Sequence, residues 1–113
     1  MCTRNQLCDI TEAIAFKAKS VFESKLDSVL LYGSYARGEE TEESDVDIMI
    51  LVDASIEELS VYKKTFTSLT SELGLIYDAV VTVTLKDSET FKRYLDAVPF
   101  YQNVKREGVS IAV

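Results

Sequence analysis

The segment Gly33 to Asp47, GSYARGEETEESDVD, holds the residues best suited to chemistry. Gly33 follows the apolar run Ser28-Val29-Leu30-Leu31-Tyr32, and a glycine there lets backbone amides approach a ligand closely, while the Ser34 hydroxyl can donate to a phosphate oxygen. Asp45 and Asp47 stand two apart at the head of DVDIMILV; on a strand such side chains leave the same face, close enough to share a cation. Mg²⁺ takes oxygen ligands, keeps several waters, and is commonly held by one or two carboxylates together with substrate phosphates. The turn therefore suits a triphosphate, and the aspartates suit the metal that would neutralise it and activate an attacking hydroxyl.

Asp78 is the candidate for a third carboxylate. It interrupts LIYDAVVTVT, which reads as a strand, and a charge in such a run needs a partner or a metal. A solvent-facing aspartate at the strand's first turn is the competing reading. Arg37 can match phosphate geometry, or it can pair with Glu39 or Glu40. The run Glu39, Glu40, Glu42, Glu43 reads as a solvated loop, with docking onto a basic partner as the sharper alternative. Tyr32, Tyr35 and Tyr77 flank the proposed site and suit packing better than base stacking.

The inventory removes several other chemistries. The chain has no histidine and two cysteines, Cys2 and Cys8, which excludes zinc sites and Ser/His or Cys/His nucleophilic machinery. A helical path would hold those thiols too far apart for a disulfide. Gly33 and Gly38 have the glycine spacing of a phosphate-binding P-loop, but Glu39-Glu40 occupy the positions that require Lys and Ser/Thr. With 12 basic against 19 acidic residues and a net charge of −7, the surface would repel a DNA or RNA backbone. No apolar run is long enough for a membrane span and the first residues lack a secretory pattern, so the expected compartment is the cytoplasm.

The elements that must position these residues are legible from periodicity. Thr3 and Gln6 have capping-box spacing, and Leu7, Ile10, Ile14, Ala18 and Val21 mark a helix over about Asn5 to Lys25. Strands are expected over Ser28–Tyr32 and Asp45–Val52, the second covered on both faces. Ser55 and Glu58 open a helix with inner stripe Ile56, Leu59, Phe66, Leu69 and Leu73, which Gly74 can terminate. Leu75–Thr84 reads as a third strand. Asp87 or Ser88 opens a short helix through Leu95, Pro99 opens another reaching about Glu107, and Gly108 closes it before VSIAV. The 113 residues are thus expected to form a single small α/β or α+β domain, a short mixed sheet with helices packed on it.

Gly-Ser, ten residues, then Asp-x-Asp is the signature of the minimal nucleotidyltransferases in the DNA-polymerase-β-like nucleotidyltransferase superfamily, and Gly33, Ser34, Asp45 and Asp47 match it without a change in spacing. GSYARG, the apolar strand after the aspartates, YDAVV and PFYQNVKREGV also resemble the short bacterial members, so the likeness spans most of the chain. It implies Mg²⁺ on the first two aspartates, with Asp78 completing the site, and ATP as substrate. Many short bacterial members resemble antitoxin partners of HEPN-domain ribonuclease toxins, which implies AMP transfer to a toxin tyrosine. Two rivals remain open at this level: a catalytically idle module that neutralises its partner by occlusion, and a small-molecule transferase of the aminoglycoside type. The sequence leaves the oligomeric state open.

Overall fold

The computed structural model describes residues 4–33 and 45–111. Thr3, Ser34, Tyr35, Arg37 and the glutamate run lie outside them. Helix α1 spans Arg4–Phe22 and passes through a 3-10 turn, Glu23–Lys25, into strand β1, Leu26–Tyr32. Strand β2 is Val46–Val52, helix α2 Ile56–Tyr77, strand β3 Val81–Asp87, helix α3 Ser88–Arg93, helix α4 Pro99–Glu107 and strand β4 Val109–Ser110. The strands form one sheet in the order β3-β2-β1-β4. β1 runs antiparallel to both β2 and β4, whereas β2 and β3, joined through α2, are parallel.

Side-chain alternation sorts the sheet into two faces. Val29 and Leu31 of β1 and Val46, Ile48, Ile50 and Val52 of β2 are buried against Ile10, Ile14, Ala18 and Phe22 of α1 and Leu59, Phe66 and Leu73 of α2. The opposite face is smaller: Met49 and Leu51 pack with Phe91 of α3 and Val104 of α4, beside Leu30, Tyr32 and Tyr101. β2 is thus covered on both sides, as its continuous apolar half requires. The inner stripe expected for α2 is correct at Leu59, Phe66, Leu69 and Leu73, but Ile56, in the first turn, is 58% exposed.

The caps agree with the sequence signals. The Glu58 N–H donates to the Ser55 hydroxyl oxygen at 3.2 Å, and the Thr90 N–H donates to an Asp87 carboxylate oxygen at 3.0 Å, opening α3. Pro99 begins α4. Replacing Ser55 by alanine orphans an N–H at the head of α2 and is expected to lower unfolding free energy by about 1 kcal/mol, read by urea denaturation, with no change in chemistry at the distant end of the sheet.

One boundary differs from expectation. α2 does not stop at Gly74; it continues to Tyr77 and ends on Asp78, a left-handed C-cap with φ 50° and ψ 53°. Gly74 instead makes room for the returning chain. The Ala79 N–H donates to the Gly74 carbonyl at 3.1 Å, and a Cβ on Gly74 would sit 2.8 Å from the Ala79 carbonyl oxygen. The third strand accordingly begins at Val81 rather than Leu75.

Candidate functional site

The ends of β1 and β2 bring Gly33, Asp45 and Asp47 together. Tyr32 pairs with Asp47 across the antiparallel ladder, so Gly33 leaves β1 beside the Asp47 side chain. Gly33 has φ +78°, and a Cβ built on it would lie 2.6 Å from Asp47 Oδ2. Only glycine satisfies both demands, the left-handed backbone and the space taken by the carboxylate. Asp45 precedes β2 and is exposed, whereas Asp47 is half-buried.

The electrostatics of the pair follow from this placement. Burial raises the Asp47 carboxyl above the ordinary aspartate range, and the Asp45 charge raises it further. Among the described residues neither cause is offset by a neighbouring positive charge, a compensation that a divalent cation would supply. Two carboxylates, one of them desolvated, beneath a turn without a Cβ form a donor set that fits Mg²⁺ and leaves positions for water and phosphate oxygens.

The strand register adds neighbours that the sequence reading passed over. β3 lies next to β2, with Thr82 beside Asp47 and Thr84 beside Met49. Thr82, Thr84 and Lys86 share the face of Asp47, while Val81, Val83 and Leu85 pack toward the larger core. The alternation T-V-T-L-K was the available signal. Tyr32 lies on the same face, edge to face with Phe100 at 5.7 Å between ring centroids, so it packs as expected. Burial raises its phenol pKa, a hydrogen bond with Thr84 opposes that rise, and the Asp47 charge adds to it. The Lys86 ammonium sits 5.5 Å from the Tyr101 ring centroid.

Asp78 is placed differently from the expectation of a strand residue facing the pair. It caps α2, ahead of β3, and among the described residues no three Asp, Glu, Cys or His side chains come together as metal ligands. The physical reason is the longer helix: the strand position next to Asp47 is Thr82, four residues beyond Asp78. Tyr77, the last residue of α2, packs against the larger core. Ser34 and Arg37 lie outside the described residues, and Cys8 is a free, exposed thiol. Among the described residues no helix is long and apolar enough to cross a membrane.

Comparison with known proteins fits this geometry. Residues 10–110 match the family described as nucleotidyltransferase domain. Two provisionally named protein adenylyltransferases of Methanocaldococcus jannaschii, MJ0604 and MJ0141, are 33% identical over 80% of this chain and 82% of theirs, and 31% identical over 85% and 95%. In fold, the chain resembles a provisionally named nucleotidyltransferase of Sulfolobus solfataricus (TM-score 0.56, 22% identity, 93% of this chain and 78% of that one). It also resembles a chain of a toxin–antitoxin crystallised with AMP-PNP (TM-score 0.53, 22% identity, 88% and 70%) and one from the toxin–antitoxin MntA–HpeT (TM-score 0.52, 22% identity, 89% and 71%). With a family match over nearly its whole length and relatives above 30% identity across four fifths of it, this chain belongs to the nucleotidyltransferase domain family.

Proposed function

We propose that the chain is a Mg²⁺-dependent adenylyltransferase that moves AMP from ATP to a hydroxyl on a protein, a tyrosine of a HEPN-type toxin, and so acts as its antitoxin in the cytoplasm. The observation that carries this reading is the seating of Asp47 under Gly33 with Asp45 beside it. The likeness to protein adenylyltransferases and to toxin–antitoxin chains supports the choice of substrate and partner.

Asp45 and Asp47 would hold the metal, which when bound neutralises triphosphate charge. Gly33 admits the phosphates to the backbone of the turn, with Ser34 and Arg37 as the side chains next in sequence to receive them. The acceptor hydroxyl gives up its proton to solvent as its oxygen bonds to the α-phosphorus, the bond from that phosphorus to the bridging oxygen breaks, and pyrophosphate leaves. Alignment and charge compensation carry the rate, because no covalent step on the protein is needed. The whole chain is taken as one catalytic domain. Incubation with radiolabelled ATP, Mg²⁺ and the toxin is expected to label the toxin at tyrosine. A stable complex without label would replace this reading with inhibition by occlusion.

The same assay fixes the part played by Asp78. Asparagine tolerates the left-handed conformation, so Asp78→Asn is expected to keep the fold and leave transfer within about twofold, whereas a carboxylate acting on the metal would lose several kcal/mol of transition-state stabilisation when neutralised.

A further inference from the structure

β3 is an edge strand whose outer side has no neighbour among the described residues, and its backbone can be read group by group. The Val46 N–H donates to the Val80 carbonyl at 2.8 Å, so in the parallel ladder the even residues of β3 turn their N–H and C=O toward β2. Val81, Val83 and Leu85 then turn theirs outward. Between this edge and α2 run two grooves, of about 280 Å³ lined by Phe66, Thr67, Thr70 and Val83 among others, and about 500 Å³ lined by Gly74, Leu75 and Val80 among others. The threonine hydroxyls facing the first groove are already used within α2, Thr67 donating to the Lys63 carbonyl at 2.9 Å and Thr70 to the Thr67 carbonyl at 3.0 Å. Open backbone groups beside a ready-made groove are what an added strand needs.

We infer that the occupant is a second copy of this chain, its β3 pairing antiparallel with this one about Thr84, so that the partner's Lys86 enters the face that carries Asp45 and Asp47. The seven residues Val81–Asp87 overlap completely only in that register. It sets Thr84 against the partner's Thr84, Val83 against the partner's Leu85, and Thr82 against the partner's Lys86. Val83 and Leu85, whose polar groups point outward, fall on hydrogen-bonded pairs, and no like charges oppose each other.

The consequence for the site comes from the register. Asp47 lies beside Thr82, and Thr82 lies opposite the partner's Lys86, so all three side chains leave the same face. Two strand spacings put the Asp47 and partner Lys86 backbones roughly 9–10 Å apart, a gap that a lysine stem and an aspartate can largely close. The chain's own Lys86 is farther away: it is in register with Leu51, about 14 Å from Asp47 at ordinary strand rise. Charge complementarity therefore runs between copies. The lysine's use in binding triphosphate rests on the proposed function; the pairing of the strands does not.

The test uses the full chain with Cys2 and Cys8 replaced by serine. Thr84 falls on a non-hydrogen-bonded pair, where backbones lie about 4.5 Å apart, within disulfide range. T84C is expected to oxidise to a covalent dimer, as is a mixture of T82C with K86C, while T82C alone forms no disulfide-linked dimer; the untagged parent sediments at twice the chain mass at tens of micromolar. Carbodiimide treatment of dimers mixed from isotopically light and heavy chains is expected to give a cross-chain peptide joining Lys86 to Asp45 or Asp47, absent in K86M. A monomeric parent, no T84C dimer, or T82C coupling as readily as T84C would overturn the pairing. Lys86 coupling only within one chain would overturn its entry into the neighbouring site. Absence of any nucleotidyl transfer would count against the proposed function and leave these cross-links unchanged.

Discussion

Asp47→Asn is expected to lower AMP transfer on the order of 10³-fold or more, because it replaces one of two carboxylates that would hold the metal with a neutral amide that binds far less well the ion needed to offset triphosphate charge. The fold should survive and can even gain stability. Asp47 has a folded-state pKa raised by burial and by the Asp45 charge; a carboxyl of that kind costs stability once pH exceeds its unfolded value, and asparagine relieves that cost at neutral pH. The paired readout is melting temperature with and without Mg²⁺. Wild type should melt higher with the ion, since binding to the folded state alone stabilises it, whereas the variant should show a much smaller shift. Transfer at the wild-type rate by a folded Asp47→Asn variant would end the assignment of the site.

The centre of this site was legible because short-range physics sets it. A glycine after an apolar run, and two aspartates at strand spacing before another, need no tertiary knowledge to be read as a turn facing a carboxylate pair. The seating of Asp47 under Gly33 is the same statement in three dimensions. β2 was readable because burial on both faces leaves a continuous apolar run, and the Ser55 and Asp87 caps because local hydrogen bonds make them. The segment 74–81 misled for a tertiary reason. Leu75, Ile76 and Val80 look like strand residues but are largely exposed. Gly74 looks like a helix stop but is there to let the chain fold back on it. What ends α2 is Asp78 in the left-handed region, and what starts β3 is its pairing with β2, a long-range contact that no window of sequence contains. The expected strand placement of Asp78 came from that misreading, and Thr82, Thr84 and Lys86 were missed by its mirror image, since common residue types gain meaning only from the strand beside them.

Gly33→Ala is expected to separate function from stability more sharply than any change at a carboxylate. The added methyl would sit 2.6 Å from Asp47 Oδ2, closer than two such atoms can remain. The obstructing atom ends a short side chain that can rotate, so relief costs the fold little. The larger stability term is the left-handed backbone at φ +78°, about 1–2 kcal/mol for a residue with a Cβ, a few degrees in melting temperature for a domain of this size. Catalysis would have no such freedom, because rotating the carboxylate would move the oxygen proposed to hold the metal, and displacements near 1 Å cost on the order of 10²-fold in rate. Transfer should therefore fall at least that far in a protein that still melts cooperatively, with a weakened Mg²⁺-dependent thermal shift, since the same oxygen would serve ion binding and turnover. Wild-type transfer with an undiminished Mg²⁺ shift would show that the close approach of Gly33 to Asp47 does not shape the site.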